Sequence, residues 1–293
     1  MILLTGAEGL IGRRISTRLE ALGFEVRRFD LRRSPAENVC DERALDHALA
    51  DVEGVVHLAA VSRVVWGQRD PALCHATNVT ALENIVRLCL GQRVRPWIIF
   101  ASSREVYGQA SRLPVHEDEE KRPLNTYARS KRDGELIIDN ASAHGLLANI
   151  CRFSNVYGCP QDHPDRVVPA FARAAARGGV ISVEGSANVF DFTFVDEAVD
   201  GLCRLVQATI AGEQLPPIHL VSGQGTTLGE LAEIAAQHAR KEVSIKEAPP
   251  RSFDVSSFVG DPGRAETLLG WKARADIRET LPKLIAQFEE LGR

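Results

Sequence analysis

Short apolar runs alternate with longer stretches of helical period along the first half of the chain. Residues 1–4 (Met-Ile-Leu-Leu) form one such run. In residues 10–22, Leu10, Ile11, Ile15, Leu19 and Leu22 share one helical face. Gly23 then ends that helix as a C-cap. Residues 25–29 read as a second strand closing on Asp30, 44–49 as a short helix and 52–60 as a third strand. Residues 70–90 follow as a long helical stretch and 96–101 as a buried strand. Strands alternating with helices predict parallel βαβ units, with helices on both faces of a doubly wound α/β sheet. Ligands of such sheets bind beyond the carboxyl ends of the strands. The turn after residue 4, Asp30, Ala59-Ala60 and Ser102-Ser103 all fall there.

The second half predicts helices over 166–176, 196–208, 228–239, 261–269 and 277–291, with short strands at 180–183 and 218–222. Thr226-Thr227 caps the 228–239 helix through Glu230. No repeat or low-complexity linker interrupts it. This half reads as a smaller α/β domain whose cleft closes on the first.

Composition narrows the partners. A chain of 293 residues with 44% hydrophobic and 25% charged residues suits a large soluble α/β unit. A net charge of −4 offers no basic field for nucleic acid. The cysteines (Cys40, Cys74, Cys89, Cys151, Cys159, Cys203) are scattered, so neither a zinc site nor a disulfide framework is expected. No apolar stretch reaches the ~20 residues a membrane span needs. No basic segment precedes the opening strand, and a cytoplasmic protein is expected.

The chemistry begins at Thr5-Gly6-Ala7-Glu8-Gly9-Leu10-Ile11-Gly12, between a strand and a helix. Gly6 permits the tight turn, Gly9 lets backbone approach a pyrophosphate, and Gly12 lets the helix lie close to the sheet. The N–H groups at the helix start, including Leu10 and Ile11, then face the phosphates. Dinucleotide binding follows from that strand–turn–helix context. Asp30 suits the adenosine ribose hydroxyls and repels a 2′-phosphate, which favours NAD. Arg32 and Arg33 close behind it would instead welcome NADP. Asp41 either caps the next helix or meets the adenine amino group. His57, inside an apolar run, reads as a core histidine. Tyr127 and Lys131 stand one helical turn apart. An ammonium there would lower the phenol's pKa, so that it could exchange a proton with an alcohol.

Taken in order, the motifs resemble those of the extended short-chain dehydrogenase/reductases, in their nucleotide-sugar epimerase/dehydratase branch. The resemblance rests on Thr5-Gly6-x-x-Gly9-x-x-Gly12, Asp30, His57-Leu58-Ala59-Ala60, Asn78-Val79 and Ser102-Ser103 with Val106-Tyr107-Gly108. It continues through Tyr127-x-x-x-Lys131, residues 152–158, residues 191–196 and Gly270-Trp271. It implies a Rossmann-type NAD-binding domain over 1–155, with 189–212 returning to it. It also implies a substrate domain over 156–188 and 213–293. Ser103 would hydrogen-bond the sugar hydroxyl being oxidised, Tyr127 would remove its proton, and Lys131 would hold the nicotinamide ribose. Leu58, Ala59, Ala60, Asn78, Ser102 and Phe153 would lie on the cofactor side. Ser62, Arg104, Asn155, Val168, Phe190 and Arg251 would lie on the substrate side.

Two departures matter. Dehydratases of this branch carry an acidic pair where this chain has Arg104-Glu105. Arg104 cannot act as a carboxylic acid, which argues against 4,6-dehydration. Phe190 stands where the branch usually places an arginine on the nucleotide diphosphate. The expected activity is NAD-dependent 4-epimerisation of a nucleoside-diphosphate sugar through a transient 4-keto sugar. Dehydration or uronate decarboxylation using Glu105, and NADPH-dependent 4-keto reduction, are the alternatives. A non-enzymatic Rossmann sensor would have lost Ser103, Tyr127 or Lys131, and all are present. The resemblance further implies a homodimer built on a four-helix bundle.

Overall fold

The computed structural model describes residues 1–249 and 255–291. The chain begins with β1 (Ile2–Thr5), α1 (Leu10–Ala21), β2 (Val26–Phe29), α2 (Glu42–Ala48) and β3 (Gly54–His57). Next come α3 (Val64–Arg69), α4 (Pro71–His75), a π-helical turn (Ala76–Thr80), α5 (Ala81–Gly91) and β4 (Trp97–Ser103). A 3-10 turn (Arg104–Tyr107) leads to α6 (Thr126–Ala143), β5 (Ala148–Phe153) and β6 (Asn155–Tyr157). Then follow α7 (Val167–Arg177), β7 (Gly179–Glu184), β8 (Val189–Phe194), α8 (Val195–Ile210) and β9 (Ile218–Leu220). The chain closes with β10 (Gly225–Thr227), α9 (Leu228–Gln237), β11 (Val243–Ala248), β12 (Ser257–Phe258), α10 (Gly263–Leu269) and α11 (Ile277–Glu290).

The main sheet is six-stranded and parallel, in the order β2-β1-β3-β4-β5-β9. Every residue of β1, β3, β4 and β5 is buried. Leu3, Val55, Ile98 and Phe100 point to a core shared with Leu45, Leu82, Ile85 and Ile138, from α2, α5 and α6. Their neighbours Ile2, Leu4, Val56 and Ile99 point the other way, to Ile15, Leu19, Leu202 and Leu205 of α1 and α8. That alternation explains why these strands read as unbroken apolar runs. The smaller unit is a four-stranded sheet of β6, β8, β10 and β12 under α7, α9 and α11, flanked by the parallel β7–β11 ribbon.

The path between the two units differs from the expected division. Residues 189–194 stay with the smaller sheet as β8, and the return begins at α8, which lies against α1. Residues 218–220, expected in the smaller unit, form β9 on the edge of the main sheet. Leu269 and Trp271 also join the main core. Pairing with β9 covers an otherwise open edge of β5. The helix expected over 70–90 is divided. Asp70 caps α4, with Pro71 in its first turn, and the π turn interrupts the stretch at Asn78. Helices α4, α5 and α6, the elements expected to form a dimer bundle, lie side by side. Among the described residues no helix is long and apolar enough to cross a membrane.

Candidate active site

The glycine turn is built as a cradle. Gly6 has a φ of +70°, and a Cβ there would sit 2.6 Å from the Ala59 nitrogen. A Cβ on Gly12 would lie 2.1 Å from the Gly6 carbonyl oxygen. Only glycine lets β1, α1 and the segment after β3 converge this closely. Gly9 is the N-cap of α1, with no side-chain cap and no acidic residue in the first turn. A helix start left open in this way suits a pyrophosphate. Asp30 accepts hydrogen bonds from the Glu8 nitrogen (2.9 Å) and the Arg32 nitrogen (2.8 Å). Its carboxylate is thereby fixed at the end of β2, beside the glycine turn. Arg32 donates to the Glu8 carbonyl (3.3 Å), and Arg33 pairs with Glu37 (3.3 Å). The residues present therefore fit a dinucleotide.

Several expected cofactor contacts have their side chains engaged within the protein. Asp41 caps α2 through the Arg43 and Ala44 nitrogens, as its capping reading predicts. Asn78 is buried. Its Oδ1 accepts from the Val61 nitrogen (2.7 Å), and its Nδ2 donates to the Ser130 hydroxyl (2.8 Å) and the Val61 carbonyl (3.2 Å). It ties the loop after β3 to α6, so its side chain positions rather than offers a free amide. The π turn there is the kind of irregularity that accompanies functional sites. Ser102 donates its hydroxyl proton to Glu135 (2.6 Å). Phe153 is buried in the main core and pairs with Ser103 across the sheet. Leu58 and Ala59 follow β3 and are held to Thr5, the Leu58 nitrogen donating to its carbonyl and the Ala59 nitrogen to its hydroxyl. His57 is a core residue. It hydrogen-bonds the Thr5 hydroxyl (2.8 Å), and burial pushes it down to about 3.

Ser103 ends β4, and Tyr127 opens α6, whose N-cap is Asn125. Burial pushes the Tyr127 phenol up to about 12, although a hydrogen bond with the Ser103 hydroxyl works against the rise. Burial pushes Lys131 down to about 8. Its Nζ donates to the Ala101 carbonyl (2.8 Å) and lies 4.9 Å from the centre of the Phe100 ring. The expected lowering of Tyr127 by Lys131 is thus not what this structure gives. The ammonium is turned to β4, and desolvation of the phenol prevails.

Ser103 and Tyr127 line a cavity of about 400 Å³. The expected substrate residues Ser62, Arg104, Asn155, Val168 and Phe190 line it too, as does Glu105. Arg251, with its expected phosphate contact, lies outside the described residues. Glu105 pairs with Arg104 (2.9 Å) and accepts from the Asn125 amide (3.1 Å). The Arg104 guanidinium stands 4.6 Å from the centre of the Phe190 ring. Sequence reasoning missed Arg63 and Arg166 on the cavity wall. Arg63 makes a two-pronged pair with Asp165 (2.9 Å for each prong). It joins the segment after β3 to the start of α7. Among short motifs, nothing marks either arginine.

A model of the NAD dependent epimerase/dehydratase family matches residues 2–217. The chain belongs to that family. UDP-glucuronic acid decarboxylase 6 of Arabidopsis thaliana is 30% identical over 249 residues, covering 81% of this chain and 70% of the relative. UDP-glucuronate 4-epimerase 4 of the same plant is 27% identical across 97% of this chain and 74% of its own length. The structure of MoeE5 in complex with UDP-glucuronic acid and NAD is similar across 100% of this chain and 99% of that one. Its TM-score is 0.89 and its identity 26%.

Beneath the epimerase-family site lies an ionic cluster that no local motif announces. Glu135 of α6 and Arg152 of β5 are both buried and paired through two contacts, Nε–Oε1 (2.7 Å) and Nη2–Oε2 (2.8 Å). Glu135 also accepts from Ser102 (2.6 Å) and Lys121 (2.8 Å). Arg152 Nη1 donates to the Tyr107 hydroxyl (2.5 Å) and the Glu117 carbonyl (2.7 Å). The cluster locks the end of β4, which carries Ser103, to the helix that carries Tyr127.

Proposed function

We propose that the protein is an NAD-dependent nucleoside-diphosphate-sugar 4-epimerase. The observation that carries this reading is the Ser103–Tyr127 pair on the wall of a cavity in which the neighbouring carboxylate, Glu105, is already held by Arg104 and Asn125. NAD, when bound at the glycine turn and Asp30, would supply the hydride acceptor and donor. Ser103 orients the C4 hydroxyl, and Tyr127 Oη takes its proton as the C4 hydrogen leaves, in a phenolate form that the cationic nicotinamide ring would favour against the burial that raises the phenol in the free protein. Lys131, whose Nζ donates to the Ala101 carbonyl, has further donors to offer the nicotinamide ribose. The α7 start has no side-chain cap and bears Arg166, Val167 and Val168 on the cavity wall. Its backbone N–H groups suit the diphosphate. A cavity of about 400 Å³ falls within the range of small-ligand sites.

Water loss needs an acid that donates a proton. Arg104 cannot serve as that acid, and Glu105 is engaged by Arg104 and the Asn125 amide, which supports epimerisation over dehydration. Decarboxylation is the second reading, favoured by the place of Glu105 two residues after Ser103. NADPH-dependent reduction has less support, because Asp30 stands at the ribose position and Arg33 is paired with Glu37. Purified protein, denatured and assayed for released dinucleotide, is expected to yield NAD. NADP(H) would overturn the cofactor assignment and revive the reductase.

A further inference from the structure

Resting on the nucleotide-sugar reading, we propose that Arg104 is the receptor for a carboxylate on the sugar ring, making the substrate a nucleoside-diphosphate uronate. Arg104 follows Ser103 directly, at the start of the 3-10 turn. In a hexuronate the carboxyl carbon is attached to C5, next to C4. A residue that receives the carboxylate must therefore stand beside the residue that holds the C4 hydroxyl. Arg104 and Glu105 line the same cavity as Ser103 and Tyr127, which puts the pair at the reacting end.

The guanidinium is also prepared for an anion. Its Nη2 is paired with Glu105 Oε1 at 2.9 Å. Its Nη1 is buried and has no hydrogen-bond partner among the described residues. An unmet buried donor is destabilising, and a ligand oxygen that reached it would relieve it. The Phe190 ring lies 4.6 Å from the guanidinium carbon, and the Phe258 ring lies at 5.9 Å. Rings this close to the guanidinium favour its charge and limit its freedom, and a guanidinium fork suits two-pronged recognition of a carboxylate. Phe190 lines the same cavity as Arg104. Phenylalanine at this position thus serves as a platform for Arg104 rather than as a phosphate ligand. Glu105 competes for the guanidinium, but its second oxygen is held by Asn125, so it occupies one edge of the fork only. The other cavity arginines have partners in place: Arg63 on Asp165, and Arg166 near Asp162 at 3.6 Å.

The test is equilibrium binding to the NAD-loaded Tyr127→Phe protein, which holds a sugar without converting it. Titration calorimetry with UDP-glucuronate, UDP-glucose and UDP gives the affinities. UDP-glucuronate is expected to bind at least about tenfold more tightly than UDP-glucose, as a charge-assisted contact implies. Adding Arg104→Gln should remove that preference and leave UDP-glucose and UDP within about twofold of their starting values. Phe190→Leu, which keeps the charge but loses the ring, should shift the preference the same way by a smaller factor. Equal affinity for the two sugars before Arg104 is changed would overturn the proposal. So would a loss shared equally by all three ligands, since Arg104 would then grip the diphosphate. If no UDP ligand binds at all, the nucleotide-sugar reading fails and the proposal fails with it.

Discussion

Tyr127→Phe is expected to lower turnover by roughly 10²–10⁴-fold, the range a positioned general base contributes. The phenylalanine keeps the buried ring, so α6 and its Asn125 cap should stay intact. Lys131 remains on the Ala101 carbonyl, and bound dinucleotide should be retained. Turnover with each nucleotide sugar, measured beside the dinucleotide released on denaturation, checks both halves. Activity within a few-fold of the unmodified protein would remove Tyr127 from the chemistry. Loss of dinucleotide would assign its effect to the fold of the site.

Glu135→Leu is expected to destabilise the protein by about 3–5 kcal/mol, because it leaves the Arg152 guanidinium buried without its carboxylate. Ser102, Lys121 and Arg152 would lose a shared partner at once. Joint replacement with Arg152→Met should recover part of the loss, since well-packed apolar groups often replace a buried pair without penalty. Denaturant unfolding of the single and double variants tests this. Additive losses would show that the two groups act separately. The pH dependence carries a sign of its own. Burial pushes the Glu135 carboxyl up, but the hydrogen bond and charge of Arg152 prevail and its pKa is lowered on folding. Its contribution is therefore complete above the unfolded value of about 4.3 and is lost as pH falls through the folded value. Acidification over that window should destabilise the unmodified protein more than Glu135→Gln.

The dinucleotide half of the site was legible because its chemistry is local. Three glycines, the helix after them and Asp30 lie within one βαβ unit, and each answers to a steric or electrostatic demand readable in a few residues. Tyr127 and Lys131 were legible for the same reason, as one turn of helix. What escaped depends on distance along the chain. Glu135 and Arg152 lie 17 residues apart on different elements, and their pairing exists only once α6 lies on the sheet. Ser102 looks like a cofactor contact in sequence, yet in three dimensions it belongs to that cluster. The direction of the Tyr127 shift escaped as well. Helical spacing brings an ammonium near a phenol but says nothing of the Ala101 carbonyl that turns it aside. The sheet that β9 joins is not readable in sequence, because a strand as short as Ile218-His219-Leu220 carries no sign of its partner. Phe190 could be recognised as a departure, whereas the guanidinium resting on it comes from a distant part of the chain.

The central claim is that hydride leaves C4 of a nucleotide sugar and returns to C4 of the same molecule. The most direct measurement incubates the protein with UDP-glucuronate deuterated at C4 and follows product by mass and proton NMR. Conversion to the 4-epimer with unchanged mass and the deuterium still on C4 is the predicted result. A product that has lost carbon dioxide or water, or an epimer from which the label has washed out, would contradict it.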